Sequence, residues 1–168
     1  MKLTEILLDA LEAEAKLSRR ALENAPSGKY EWKPHEKSMM FGPLTDMVAN
    51  IPMWVKMIIE QDELDVNPPG GQKHERVKLD SSSDMIAALE KSMAAASAAF
   101  AGTSDAHLKT TWKLLAGGHV VIEEPRHIMI RDTIHHWVHH RGQMTVYLRL
   151  MGAKVPALYG PSADDPRF

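Results

Sequence analysis

Apolar residues recur at three- and four-residue spacing in four segments of the chain, which is the pattern of helices that bury one face. In the first segment this apolar stripe is formed by Leu3, Leu7, Leu11 and Leu22. Pro26 and Gly28 follow soon afterwards, and neither residue favours the continuation of a helix. The pattern therefore predicts a first helix from Leu3 to about Asn24.

A second helix is predicted to begin near residues 41–43, where a proline suits the first turn. Its apolar positions continue to about Asp62. Pro52 lies inside this segment and marks a site for a kink or a break, because proline has no amide hydrogen to donate. The stretch before this helix is expected to be a loop whose two aromatic residues, Tyr30 and Trp32, pack back on the body of the protein.

A proline- and glycine-rich stretch separates the second helix from a third, which Ser82 or Ser83 is expected to cap and Gly102 to close. A fourth helix is predicted to begin after Pro125 and to end at Gly152. Between the third and fourth helices an irregular span includes the strand-like stretch WKLLAGGHVVIEE. Strand patterns are otherwise weak, so the fold class predicted is all-α, a four-helix bundle with long and unequal interhelical loops.

Composition and charge narrow the class of protein. The 168 residues suffice for one domain, predicted to span residues 1–168. With 20 basic and 22 acidic residues the net charge is -2, so neither nucleic acid nor an anionic membrane is expected as a partner. No apolar stretch approaches the roughly 20 residues of a membrane helix. Since the acidic N-terminal segment is also unlike a signal peptide, we expect a cytoplasmic protein.

Candidate chemistry is concentrated in the fourth helix, at HHWVHHRGQ. At about 100° per residue, one stripe of this helix contains, in order, Met129, Asp132, Thr133, His136, His140, Gln143 and Tyr147. His135 and His139 form a second pair, about 100° further round the helix, so only one of the two pairs can point directly into a bundle. The tryptophan between them, Trp137, and Trp54 of the second helix are expected to pack in the core or at an interface.

The chain contains no cysteine, so a metal site has to use nitrogen and oxygen ligands, or methionine as a weak one. Two neutral imidazoles at positions i and i+4 are well placed to bind one divalent ion. The same spacing is also typical of two surface or hydrogen-bonded core histidines, so both interpretations stay open at this point. The other histidines have no ligand spacing: His35, His74, His107, His119 and His127.

The wider sequence resembles the DinB/YfiT-like family of metalloenzymes, which are small four-helix bundles. The stretch HHWVHHRGQMTVYLRLMG resembles the N-H-x-x-H-H-R-G-Q motif and the aliphatic run of that family's last helix, and YGPSAD resembles its tail. PHEKSMMFGPLTDMVANIPMW resembles its loop and second helix, so the resemblance extends over the whole chain. It implies that His136 and His140 are metal ligands, and the rest of the motif is matched by His139, Arg141, Gly142 and Gln143.

The family's third ligand is a histidine of the second helix, and this sequence has Met47 at that position. A thioether is a soft and weak ligand, poorly suited to Zn, Ni, Mn or Fe(II). The alternative oxygen ligands are Asn50, one turn further on, Asp46, which points about 100° away, and Asp132, one turn before His136. The predicted cofactor is therefore either a divalent metal ion (Zn, Ni, Fe or Mn) at a degenerate site, or none.

The resemblance implies a metal-dependent transferase or hydrolase that acts with a small-molecule or thiol substrate and forms a homodimer. Gln143 and Arg141 would then orient the ligands or support the structure, and Tyr147 would line the cleft. The alternative is a non-catalytic small-molecule-binding or stress-response protein that has lost its metal. The sequence leaves open whether the chain is an enzyme, because Met47 weakens the metal site on which catalysis would depend.

Overall fold

A computed structural model describes residues 2–71 and 78–167 of the chain. Its helices, in chain order, are α1 (Leu3–Glu23), α2 (Phe41–Glu60), α3 (Ser82–Ala101), α4 (Asp105–Leu108) and α5 (Arg126–Leu150). The four long ones, α1, α2, α3 and α5, confirm the four predicted helical segments. The cap of α3 was predicted one or two residues too late, because Ser81 is the residue whose side chain accepts a hydrogen bond from the Asp84 amide.

The prediction of an all-α four-helix bundle was wrong. The described residues also form the short helix α4 and a mixed sheet of three strands, β1 (Glu63–Asp65), β2 (Thr111–Ala116) and β3 (His119–Pro125). The central strand β2 pairs in parallel with β1 and antiparallel with β3. The stretch WKLLAGGHVVIEE is the β2–β3 hairpin, and its turn requires glycine because Gly117 and Gly118 have φ values of +62° and +81°.

The core lies between the long helices. Helix α2 packs against α3 and α5, and α1 packs against the same two helices from another side. Large side chains that are fully buried there are Leu11, Leu22, Phe41, Leu44, Ile51, Ile130, Trp137, Met144 and Leu148. Burial of these apolar faces, which recur at helical spacing, is what brings the four long helices together.

One buried arginine at the start of α5 links the sheet to the helices by hydrogen bonds. The Arg126 side chain is 1% exposed and donates to Thr110 Oγ1 at 2.8 Å and to the Thr111 carbonyl at 2.6 Å. It also donates to the Gln61 carbonyl at 3.0 Å and to the Asp62 carboxylate at 2.6 Å. The end of α2, the approach to β2 and the start of α5 therefore meet at a single guanidinium group.

Helix α2 continues through Pro52, where a kink or a break was predicted. Because residue 52 has no amide hydrogen, it cannot donate to the carbonyl of Val48, four residues earlier. The indole Nε1 of Trp137 donates to that carbonyl instead, at 2.7 Å. Ser92 of α3 donates to the following carbonyl, that of Ala49, at 2.7 Å. Side chains from two neighbouring helices thus satisfy the α2 backbone beside the proline.

Two further sequence predictions concern membrane-spanning helices and the loop that follows α2. Among the described helices none combines the length and the apolarity needed to cross a bilayer. The predicted proline- and glycine-rich loop falls partly on residues 72–77, which include His74 and lie outside the described residues.

Candidate functional site

His136 and His140 lie one turn apart on α5 and face each other. Their Nε2 atoms are 2.7 Å apart, and their ring centroids are separated by 4.4 Å. On the opposite side of its ring, His140 places Nδ1 at 2.9 Å from Oε1 of Gln143. An amide oxygen only accepts, so His140 carries its proton on Nδ1 and directs an Nε2 lone pair at His136.

This geometry serves two states of the pair. Without an ion, His136 can donate its own Nε2 hydrogen to the lone pair of His140. With His136 in the other tautomer, both lone pairs point into the same space, where they can bind one cation. The hydrogen bond to Gln143 holds His140 in the tautomer that the second state needs, as outer hydrogen bonds do for histidine ligands in metal sites.

Electrostatics favour the neutral form of both imidazoles. Burial lowers the pKa of His136 from its ordinary value of 6.5, and His140 and His139 lower it further. Burial also lowers the pKa of His140, while its hydrogen bond to Gln143 acts in the opposite direction and His139 adds to the lowering. A histidine binds a metal only when it is unprotonated, so these directions suit ligand chemistry near pH 7.

The donor set fits two positions of a metal site and no more. In residues 2–71 and 78–167 no three side chains of His, Asp or Glu are grouped so that they could hold one ion. Asp132, the candidate one turn before His136, accepts a hydrogen bond from Arg131 Nε at 2.9 Å and lies 3.9 Å from His135 Nδ1. Its carboxylate is therefore engaged on the exposed side of α5.

Two contacts identify the face of α2 that is turned toward the histidines of α5. The ring of Trp54 lies against His136, with centroids 5.6 Å apart. Near the other end, the Tyr147 hydroxyl donates to the Met39 carbonyl at 3.1 Å, and the Tyr147 ring packs edge-on against Trp32 at 5.5 Å. Since later residues of α5 meet earlier residues of α2, the two helices run antiparallel.

Met47 and Asn50 share the face of α2 that carries Trp54, because they precede it by seven and four positions. The antiparallel run places them at about the level of His140. Met47 is half-buried and packs against the core. The amide of Asn50 donates to the Asp46 carbonyl at 3.1 Å and to its carboxylate at 2.9 Å, so the Nδ2 group of Asn50 is engaged within its own helix.

Arg141 follows the histidines directly in sequence but makes its contacts on another side of α5. It is 1% exposed and donates to the Glu14 carboxylate at 2.5 Å and to the Glu14 carbonyl at 3.0 Å. It also donates to Ser18 Oγ at 3.2 Å and to the Tyr159 hydroxyl. Arg141 therefore joins α5 to α1 and to the C-terminal segment.

A pocket of about 270 Å³ lies beside His136, between α2, α5 and the sheet. Its lining from α5 is the stripe predicted from the sequence, Met129, Asp132, Thr133 and His136. Helix α2 contributes Trp54 and Ile58, and one face of the sheet contributes Leu64, Val66, Trp112, Leu114 and Ile122. The pocket has an apolar body, and except for the indoles of Trp54 and Trp112 its polar side chains all come from α5.

The half of this pocket that the sheet provides was not predicted from the sequence, and Trp54, predicted to pack in the core or at an interface, lines the pocket. The available signal was the period of two in the sheet, where Leu64 and Val66, and likewise Trp112 and Leu114, are alternate residues that face one side. From the sequence this alternation predicted only a strand-like stretch. It did not predict the pocket wall, because nothing in the sequence showed which face of the hairpin is covered.

Three of the remaining described histidines have hydrogen-bond partners in the backbone. His107 Nε2 lies 2.7 Å from the Ile59 carbonyl, and His127 Nδ1 lies 3.0 Å from the Leu108 carbonyl. Nδ1 of His35 accepts a hydrogen bond from the Lys37 amide at 3.1 Å. These contacts agree with the absence of ligand spacing at the same residues in the sequence.

Comparison with known proteins gives one family and a set of similar folds. The model of the DinB family matches residues 1–167. A DinB-like protein from Bacillus cereus has a similar structure, with a TM-score of 0.72 and 22% identity over 92% of this chain and 97% of that one. For a DinB-like protein from Bacillus subtilis, YjoA, the TM-score is 0.65 and the identity 17%, over 87% and 92% of the two chains.

A curated protein of Bacillus subtilis, "Uncharacterized protein YrdA", is 44% identical to this chain over 41 residues. That match covers 24% of this chain and 25% of YrdA, so the chain matches about a quarter of that relative's length. The two solved structures are less than 25% identical to this chain, and their similarity therefore shows the fold alone.

Proposed function

Because the chain belongs to the DinB family, we propose that it is a metal-dependent enzyme, of the thiol-dependent transferase or hydrolase type, with a degenerate metal site. The observation that carries the proposal is the convergence of the His136 and His140 Nε2 atoms to 2.7 Å, with the His140 proton held on the opposite side of the ring. A divalent ion bound there would act as a Lewis acid toward a thiol or a water molecule.

Each residue around the pair has a distinct part in this proposal. His136 and His140 bind the ion, and Gln143 orients His140 through Nδ1. Trp54 covers one side of His136, where its ring excludes water. Met47 stands at the third ligand position of the family, and its thioether binds Zn, Ni, Mn or Fe(II) weakly. We therefore expect metal affinity well below that of a site with three histidines.

Metal content tests the proposal directly. Protein purified without a histidine tag should contain divalent metal by elemental analysis, and His140→Ala should remove most of it. The matched control is His139→Ala, an exposed histidine of the displaced pair, which should keep its metal. Substoichiometric metal that is the same in wild type and in His140→Ala would contradict the proposal.

The third position can be tested by restoring an imidazole. Met47→His should raise the affinity for Zn or Ni at least about tenfold, equivalent to about 1.4 kcal/mol, because a nitrogen ligand replaces a weak sulfur ligand at the level of His140. Competition with a chromophoric chelator measures the change. Met53→His, at a half-buried position on another face of α2, is the control and should leave the affinity unchanged. Equal affinities for the wild type and Met47→His would mean that residue 47 does not face the pair.

The alternative proposal is a non-catalytic small-molecule-binding or stress-response protein that has lost its metal. It is favoured by the incomplete set of metal ligands among the described residues. It is also favoured by the pocket, because side chains alone form its described walls. In that case ligands should bind to protein stripped with a chelator as tightly as to untreated protein. A loss of binding after metal removal would favour the enzyme.

A further inference from the structure

We propose that the pocket beside His136 binds a small, uncharged, apolar compound with a carbonyl oxygen, and that the indole N–H of Trp112 donates a hydrogen bond to this oxygen. The inference names a substrate class for the proposed site and rests on the proposed function for any chemistry that follows binding. The binding itself requires only the pocket and Trp112.

The indole N–H of Trp112 is a buried hydrogen-bond donor that has no acceptor among the described residues. The residue is 2% exposed and lines the pocket, and its Nε1 has no hydrogen-bond partner in the described part of the chain. Nearly all buried N–H groups of native proteins have a partner, because an unpaired one has lost its bonds to water without replacement. Trp137 is the internal comparison: it is equally buried, and its Nε1 donates to the Val48 carbonyl at 2.7 Å.

The walls decide what kind of molecule can supply the acceptor. Most of the lining is aliphatic or aromatic, as in Ile58, Leu64, Leu114, Ile122 and Met129. An engineered apolar cavity of about 150 Å³ binds benzene, so about 270 Å³ suits a compound with one ring or two. The body of the ligand is therefore apolar.

The lining also disfavours an anionic ligand, because no Lys or Arg is among the described residues that line the pocket. An anion brought into this apolar space would lose its hydration without gaining a counter-charge. The acceptor offered to Trp112 is therefore a neutral oxygen, as in a ketone, an aldehyde or an ester. His136 lines the same pocket from the α5 side, so its ring would contact such a compound.

A pair of isosteric compounds tests the role of the acceptor. Acetophenone and α-methylstyrene have the same shape, but a C=CH₂ group replaces the C=O group in the second. Titrations use the full chain after metal removal and are followed by calorimetry or by ligand-observed NMR. We expect Trp112→Phe to weaken acetophenone roughly tenfold relative to α-methylstyrene. The quantity compared between wild type and Trp112→Phe is the ratio of the two affinities, acetophenone to α-methylstyrene. The difference in hydrophobicity between the compounds is the same in both proteins and cancels.

The position of the site is tested at its rim. Ile122 is 40% exposed and lines the pocket, so Ile122→Trp should fill the opening and abolish binding of both compounds. The control Glu123→Trp places the same side chain on the opposite face of β3 and should leave both affinities within about twofold, since the walls are untouched. Both substitutions are at the surface, so they avoid the core packing of Trp112.

One measurement needs no variant at all. In wild-type protein, one of the four tryptophan indole N–H resonances should move downfield with acetophenone and not with α-methylstyrene. Absence of binding at millimolar acetophenone, an unchanged ratio in folded Trp112→Phe, or unchanged binding in Ile122→Trp overturns the proposal. Because these titrations use protein stripped of metal, acetophenone binding is measured independently of whether the wild-type protein carries an ion, which separates this proposal from the proposed function.

Discussion

Trp137 shows how a single residue fixes the orientation of the candidate site. It lies between the two histidine pairs of α5, and its indole donates to the Val48 carbonyl, which Pro52 leaves without its usual helical partner. This bond sets the rotation of α5 about its axis relative to α2. As a result, the pair His136 and His140 is turned toward α2 and the pocket, whereas His135 and His139 remain exposed.

The indole bond can be tested by removing its donor. Trp137→Phe should lower the free energy of unfolding by about 1–3 kcal/mol from the unpaired carbonyl alone, with an added loss from the smaller ring. Urea denaturation followed by circular dichroism measures this change. The companion substitution is Pro52→Ala, which restores an amide hydrogen at residue 52.

In the Pro52→Ala background the Val48 carbonyl regains a backbone donor, so Trp137→Phe should cost less there. A coupling of about 1 kcal/mol between the two substitutions is expected, within the range measured for residues that share a partner. If Trp137→Phe costs the same in both backgrounds, the indole is not compensating for the proline.

At the scale of elements, α1 depends on a cap that comes from α4. The N-cap residue of α1 is Lys2, which has no side-chain oxygen to accept from the first amides. The Asp105 carboxylate of α4 takes this part and accepts from the amides of Leu3 at 2.9 Å and Thr4 at 3.1 Å. A four-residue helix is thereby held against the first turn of the chain.

These bonds predict a pH-dependent contribution to stability. The amides of Leu3 and Thr4 lower the pKa of Asp105 below its ordinary 3.8, against a smaller opposing effect of burial. The stabilisation is therefore complete above pH 3.8 and is lost as the pH falls from there through the lowered pKa. Asp105→Asn should melt at a lower temperature than wild type at pH 7, and the difference should shrink below pH 3.8.

The control for that titration is Asp9→Asn, since Asp9 is an exposed aspartate of α1 outside its first turn. Its melting temperature should follow that of wild type across the same pH range. A constant difference between wild type and Asp105→Asn from pH 7 to strongly acidic pH would contradict the assignment of a charged cap.

The elements differ in how far the sequence predicts them. The long helices could be predicted because their apolar spacing is a local property of each segment. Strands β2 and β3 left only a strand-like stretch, whose alternation is broken by the shift in register between Leu114 and Leu115. Strand β1 has three residues in a polar segment and gains its structure from a partner about fifty residues later, so no local pattern announces it.

At the scale of the whole molecule, one side of the candidate site could be predicted from the sequence and the other could not. The α5 side of the pocket follows from helical phase, and the sequence placed Met129, Asp132, Thr133 and His136 on one stripe. The opposite side depends on the sheet, so Trp112 could not be placed from the sequence. Helical phase also separates the family motif into two parts, because Arg141 binds Glu14 of α1 while His140 faces His136.

The parallel pairing of β1 with β2 has a consequence for folding kinetics. It joins Glu63 to Lys113, and closing so long a loop costs chain entropy before the three-residue strand β1 returns any pairing energy. The bundle should therefore form first and the sheet afterwards. In stopped-flow refolding, far-UV circular dichroism should recover before the fluorescence component that Trp112→Phe removes, and coincident recovery would contradict this order.

The same order applies in reverse to the folded protein. Amides that hold β1 in place, such as that of Val66, which donates to the Leu115 carbonyl at 2.9 Å, should exchange with deuterium faster than the buried turns of α2 and α5. Local opening of the sheet would uncover the pocket while the helices stay packed. Such an opening would widen the mouth of the pocket at Ile122 and would release a bound ligand without global unfolding.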